Sequence, residues 1–177
     1  MTSIYPDETA ARVLEVALAE VGYTEKPDNL TKYGEFTKAN GLPWCGSFCN
    51  WVFDQAKIKI PSMVGTAIGA NKMKDIGRWV EKPEIGDLAF MDFPHDGVDR
   101  ISHIGIVAAV KPDSVITIEG NTSGTGDQRN GGMVMIKERR FGKGQPVVGF
   151  GRPKFKTYSG QLPAVEAPKP IVKKGKK

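Results

Sequence analysis

Cys45 is the residue of this chain best placed to do covalent chemistry. It follows Leu42-Pro43-Trp44 and opens Cys45-Gly46-Ser47-Phe48-Cys49-Asn50-Trp51-Val52. Pro43 cannot sit in a helix interior but is tolerated just before or at the first turn. From Phe48 onward, Phe48, Trp51, Val52 and Ala56 recur at helical spacing. The pattern predicts a helix that starts at Cys45 and runs to about Lys57. A thiol at a helix start meets unpaired backbone N–H groups and the positive end of the helix dipole. Both favour the thiolate, the reactive form of cysteine. A cysteine that merely packs beside two tryptophans would do no chemistry, so the case for Cys45 depends on its partners.

A nucleophilic cysteine needs a base within hydrogen-bond reach and a third group to orient that base. The chain has two histidines. His95 lies in the loop sequence Pro94-His95-Asp96-Gly97, a setting for an exposed side chain. His103 opens a strand, and alternation places it on one face with Gly105, Val107 and Ala109, while Ile104, Ile106, Ala108 and Val110 take the other. In the next strand Val115, Thr117, Glu119 and Asn121 share a face. The turn Lys111-Pro112-Asp113 between them suits a hairpin of about residues 102–110 with 114–121. A register that sets His103 opposite Asn121 and Gly105 opposite Glu119 puts the polar groups on one face, with Glu119 a diagonal neighbour of His103. The Cys45 helix start is expected over that polar face, with Gly105 leaving room for it. The site would then hold Cys45 as nucleophile, His103 as base, and Glu119 or Asn121 as the group that orients His103. A different reading joins Cys45 and Cys49, one helical turn apart, with His95 and His103 as a zinc-binding interaction module. It leaves Glu119-Gly120-Asn121 without a purpose.

The elements that must position these residues divide into two halves. Asp7-Glu8 begins a helix whose apolar stripe is Val13, Val16, Ala17 and Val21, stopping at Gly22. Asn29-Leu30-Thr31 is expected to cap a short second helix through Tyr33 and Phe36, ended by Asn40-Gly41. Another short helix is expected around Ile68 to Asp75, after the Cys45 helix. Strands follow at Leu88 to Met91, Ile101 to Val110, Ser114 to Glu119, Met133 to Lys137 and Val147 to Phe150. Helices first and strands second predict an α+β fold, its N-terminal helices packed on a C-terminal antiparallel sheet. A single domain is expected over residues 1–157, and 158–177 as a Pro/Lys-rich disordered tail.

Charge argues against several function classes. Lys and Arg number 25 against 20 Asp and Glu. Five of those lysines fall within Ala167–Lys177, where there is no acid, so the rest of the chain is formally neutral. A neutral body with a basic end is not a nucleic-acid-binding surface. No apolar run approaches the roughly 20 residues of a membrane span, and Met1–Asp7 has neither the basic nor the apolar region of a signal peptide. Two cysteines four apart are not a disulfide framework. A cytosolic, reducing site of synthesis is expected.

Four stretches taken together resemble the CHAP domain, the cysteine, histidine-dependent amidohydrolase/peptidase family. They are Trp44-Cys45-Gly46-Ser47-Phe48, Gly86-Asp87-Leu88-Ala89-Phe90, Ser102-His103-Ile104-Gly105-Ile106-Val107 and Ile118-Glu119-Gly120-Asn121, spread over about residues 8–150. The resemblance implies a papain-like fold, cleavage of an amide bond in bacterial peptidoglycan, and active-site positions Cys45, His103, Glu119 and Asn121. It implies no cofactor. Tyr33 stands twelve residues before Cys45, as does a substrate-site tyrosine in related papain-like wall peptidases. Tyr33, and Trp44 next to Cys45, are expected to contact substrate. Some CHAP domains bind calcium ahead of the cysteine helix, but Glu25, Asp28 and Asn29 do not form an alternating ligand run, and no metal is expected. Such domains occur in bacteriophage endolysins. The expected setting is a monomer made in the host cytoplasm that reaches the wall at lysis. A non-catalytic wall-binding domain of the same fold is the remaining alternative.

Overall fold

The computed structural model describes residues 3–94, 96–98 and 100–168. Helix α1 is Ala10–Ala19. Thr9, not Asp7, caps it, its Oγ1 accepting from Arg12 N at 3.1 Å. Glu8 takes a positive φ of 65° and turns the chain just before the cap. Helix α2 is Lys32–Thr37, capped by Thr31, which accepts from Gly34 N at 2.9 Å. Helix α3 is Cys45–Gln55 and α4 is Thr66–Asp75. The strands are β1 Trp79–Val80, β2 Leu88–Met91, β3 His103–Val110, β4 Ser114–Thr122, β5 Met133–Arg140 and β6 Val147–Gly151. They form one sheet in the order β1-β6-β2-β3-β4-β5, every neighbouring pair antiparallel. This is the expected α+β division. The short β1, paired with β6 through Trp79 and Gly151, is an addition.

Side-chain alternation sorts the sheet into two buried faces. Leu88, Phe90, Ile104, Ile106, Ala108, Ile118 and Val134 pack with the helices around Leu14, Phe48, Cys49, Val52 and Phe53. Ala89, Met91, Val107, Val115, Val147 and Phe150 form a smaller cluster on the opposite face, flanked by Phe93 and Phe141. Both faces of β3 are covered, which is why its sequence is apolar almost throughout.

The β3–β4 register near the site is the expected one: Ile106 opposes Ile118 and Val107 opposes Thr117. A bulge then shifts the pairing, so that Ala109 opposes Ile116. The bulge lies on the turn side and leaves the facing of His103 and Glu119 unchanged. The start of α3 reaches His103, as expected, but the body of the helix packs on the Ile104–Ile106–Ile118 face.

After β6 the chain has no helix or strand as far as Pro168. Phe155 lies against Phe53 at 6.4 Å between ring centroids, and Tyr158 sets its edge on Tyr5 at 5.9 Å. Residues 169–177, with the tail lysines, lie outside the described residues.

Candidate active site

The start of α3 is left open by its own sequence. Trp44 occupies the cap position and makes no capping hydrogen bond, so no side chain claims the first N–H groups. Asn50 pins the helix from its middle: Oδ1 accepts from Met63 N at 2.7 Å, and Nδ2 donates to Pro61 O at 3.0 Å. The Met63 backbone crosses so close that a Cβ on Gly46 would stand 1.7 Å from its carbonyl oxygen. On the sheet side Gly120 is the permissive residue. A Cβ there would lie 2.6 Å from Phe48 Cβ and 2.9 Å from Trp44 Cζ3. The expected role of Gly105 is corrected accordingly. Its missing side chain makes room for Glu119, whose Cγ would be 2.7 Å away, rather than for the helix.

His103 and Glu119 are both fully buried. His103 Nε2–H donates to Glu119 Oε2 at 2.9 Å. Glu119 accepts three further bonds: Thr117 Oγ1–H to Oε1 at 2.6 Å, Arg139 Nε–H to Oε1 at 2.8 Å and Arg139 Nη2–H to Oε2 at 2.6 Å. Burial alone would raise the Glu119 pKa. The charge of Arg139, its two hydrogen bonds and His103 outweigh burial and hold the carboxyl well below the usual carboxylate range. Glu119 is thus a fixed anion.

With Nε2 committed, Nδ1 is the remaining His103 ring nitrogen. It is buried and, among the described residues, makes no hydrogen bond of ordinary geometry. Cys45 nevertheless acts on the ring. Burial lowers the His103 pKa, but the charge of Cys45, a loose thiol hydrogen bond and Glu119 together raise it to about 9. Loose contacts of this kind are usual in ligand-free catalytic sites and tighten when substrate binds. Cys45 is 4 % exposed. Cys49, one turn further, is fully buried. Burial first, then Cys45 and Glu119, push its thiol well above the ordinary range, so it stays protonated.

Asn121 sits at φ 57° and turns away from His103. Its Oδ1 accepts from Gly132 N at 3.0 Å, and its Nδ2 donates to Asn130 Oδ1 at 2.9 Å and Asn29 Oδ1 at 3.3 Å. It fastens two loops, and among the described residues Glu119 is the side chain that hydrogen-bonds the imidazole. Tyr33 and Trp44, expected at the substrate, are both fully buried. Tyr33 donates its hydroxyl to Glu20, and Trp44 Nε1 donates to Glu25 Oε2 at 2.5 Å. Their rings stack at 5.3 Å between centroids. They form the floor under the helix start and offer a ligand no surface.

His95 lies outside the described residues. Among the described residues no three His, Cys, Asp or Glu side chains gather as a metal site. Arg139 escaped the sequence reading because β5 was expected to end at Lys137. Glu138-Arg139-Arg140 looks like a solvated charge run, yet alternation from Met135 opposite Glu119 puts Arg139 on the Glu119 face. A cleft of about 460 Å³ opens beside the site, lined by Pro43, Thr66, Ile68, Ser102, Arg129 and Asn130 among others. Pro43 and Ser102 lie just before Cys45 and His103 in the chain.

The CHAP domain model matches residues 37–121, a span that includes Cys45, His103, Glu119 and Asn121. That family takes its name from the cysteine and histidine of its amidohydrolases and peptidases, and the matched span is just under half of the chain. No curated protein matches the sequence. Among solved structures it is similar to a crystal structure described as similar to lipoprotein, NLP/P60 family, from Staphylococcus aureus subsp. aureus Mu50. The identity is 17%, the TM-score 0.39, and the match covers 85% of this chain and 39% of that one. The present chain therefore spans about two fifths of that protein's length.

Proposed function

We propose that this protein is a cysteine-dependent peptidoglycan hydrolase that cleaves an amide bond of the wall, either within the peptide stem or between stem and sugar. One observation carries the reading: Cys45 opens α3 beside a buried His103 whose other ring nitrogen is held by the fixed anion Glu119. His103 Nδ1 takes the proton of Cys45 Sγ, and the thiolate attacks the substrate carbonyl. The oxyanion forms at the uncapped helix start, where the Cys45 N–H donates to it. The His103 imidazolium then protonates the leaving amine, and water hydrolyses the thioester. Glu119 keeps the ring in the tautomer with Nε2 protonated throughout.

In this proposal the protein acts as a monomer and as a phage endolysin. It is made in the host cytoplasm and meets its substrate when lysis exposes the wall. Digestion of purified peptidoglycan, with mass spectrometry of the fragments, tests the chemistry. New glycan-linked lactyl ends mean amidase action and new stem termini mean endopeptidase action. Intact walls after exposure to folded protein overturn the proposal.

A further inference from the structure

Arg139 lies outside every motif that pointed to the site, yet it makes more contacts to Glu119 than His103 does. We infer that Arg139 is a positioning residue that ties the cleft loop, residues 123–132, to the orientation of His103. The inference rests on reading Cys45 and His103 as the hydrolytic pair.

Three observations support it. Arg139 is 8 % exposed, and its planar guanidinium grips both Glu119 oxygens through Nε and Nη2. A lysine ammonium cannot make this fork. The guanidinium also lies over the Phe93 ring, 5.0 Å from its centroid, which fixes its plane. Finally, the same Nη2 donates to Gln128 Oε1 at 3.1 Å.

Gln128 belongs to the loop. Its Nε2 donates to Ser123 O at 3.2 Å and Gly126 O at 3.0 Å. Its neighbour Asp127 accepts from the backbone N–H groups of Arg129 and Asn130 at 2.8 and 3.1 Å. Asp127, Arg129 and Asn130 line the cleft. A continuous set of bonds therefore runs from the cleft wall through Gln128, Arg139 and Glu119 to His103. A substrate that moves the loop would load the base through this chain.

The groups that act on Glu119 come from three elements. His103 comes from β3, Arg139 and Lys137 from β5, and Cys49 from α3, with Cys45 acting on it through His103. Lys137 donates to Ser123 O at 2.7 Å and does not bond the carboxylate. Without Arg139, His103 is the cation among the described residues that still bonds the buried carboxylate, and burial favours its neutral form. A protonated Glu119 no longer holds the imidazolium that the thiolate needs, so reactivity is lost from the acid side.

The test is the pH profile of Cys45 alkylation by iodoacetamide in the full chain, read beside hydrolysis of wall fragments. Cys45→Ser supplies the blank, since Cys49 is buried and protonated. In Arg139→Gln the acid limb of alkylation is expected to move up by about 1–3 pH units. Arg139→Lys, which keeps the charge and loses the fork, should hold the limb near its original place while hydrolysis falls. Gln128→Ala should slow hydrolysis more than alkylation. A folded Arg139→Gln with an unmoved limb overturns the inference. If Arg139→Gln does not fold, wild-type alkylation and hydrolysis in both Arg139→Lys and Gln128→Ala overturn it. If the limb shifts as expected but the wild-type chain cleaves no wall fragment, the hydrolase reading fails and the positioning role stands.

Discussion

Two buried carboxylates in this protein are gripped by arginine forks, and they behave oppositely. Glu119 is held by Arg139 at 2.8 and 2.6 Å, and Asp87 by Arg152 at 2.9 Å through both Nε and Nη2. Both acids are fully buried. Yet Glu119 lies well below the carboxylate range, while burial outweighs Arg152 and pushes Asp87 up. The difference lies in what else each arginine and acid touches. Besides Glu119, Arg139 bonds the neutral amide of Gln128, and Glu119 has His103 as a second cation. Arg152 divides its charge with Glu84 at 2.8 Å, and the charge of Glu84 itself raises the Asp87 pKa. Asp87 meanwhile accepts from Glu84 N at 2.7 Å and closes the turn before β2. Both acids sit in stretches that resemble the CHAP domain, but one closes a turn and the other holds His103. An arginine fork does not distinguish the two roles; the third partner does.

The largest expected effects fall on the Glu119 side. Cys45→Ala should lower hydrolysis by a factor on the order of 10⁴–10⁶, as loss of a covalent nucleophile does. His103→Ala should cost about 10²–10⁴-fold. Circular dichroism should show both variants folded. Wild-type rates in either would remove the site from Cys45 and His103 altogether.

Crossed readouts at the two forks come next. Glu119→Gln keeps the shape and removes the charge, so kcat/KM should fall by roughly 10²–10⁴ with a small change in Tm. Asp87→Ala removes a turn closure and a fork while Arg152 keeps Glu84. Its expected cost is about 2–3 kcal/mol in denaturant unfolding, below that of a fully buried pair because Arg152 is partly exposed. Its kcat/KM, measured where the protein is folded, should stay within a few-fold of wild type. If Asp87→Ala lost activity and Glu119→Gln lost only stability, the assignment of roles would be reversed.

The same contrast shows how much could be read from the sequence. The β3–β4 pairing near the site follows from a turn with Pro112 and from alternation, both local signals, and the structure keeps it. The uncapped cysteine helix is equally local. The face on which α3 packs was misread because His103 and Gly105 looked less apolar than Ile104 and Ile106. That distinction presumes one wet face, whereas this sheet is covered on both. Gly105 and Gly120 are indistinguishable as letters, and only tertiary contact reveals that one admits Glu119 and the other Phe48. Arg139 was hidden by a strand end placed three residues too early, at Lys137 rather than Arg140. Asn121 was chosen by register and by the family resemblance; register brings it near His103 but cannot foresee the positive φ that turns it toward Asn130 and Gly132.

A smaller effect separates the forks by pH. Glu119 has a folded pKa below its ordinary value of about 4.3. The stability it contributes is present above that value and is lost as pH falls toward the folded one. Asp87, raised, has the opposite sign: its contribution is present at low pH and is lost as pH rises through the folded value. His103 contributes fully below its ordinary value of about 6.5. Its contribution is lost as pH rises through about 9. Plots of Tm against pH should show acid destabilisation made shallower by Glu119→Gln and steeper by Asp87→Ala. Parallel curves for the two variants would mean that the forks do not differ in charge state.

The smallest expected effect on activity concerns Tyr33, placed by its spacing at the substrate and by its burial in the core. Its ring touches Tyr23, Trp44, Phe48 and Trp51, with centroid separations of 4.9–5.3 Å, and its hydroxyl donates to Glu20. Tyr33→Phe keeps the ring packing and deletes that one hydrogen bond. Glu20 retains Lys32, whose Nζ lies 2.7 Å away, so the carboxylate is not left alone. The expected loss is about 1–2 kcal/mol of stability, within the range for a hydrogen bond to a charged group. KM and kcat for wall fragments should remain within about twofold, because surface substitutions aside, a buried isosteric change reaches the site only by moving its support. A rise in KM of tenfold or more with unchanged stability would return Tyr33 to the substrate, and would require the Tyr33–Trp44 stack to open when the wall is bound.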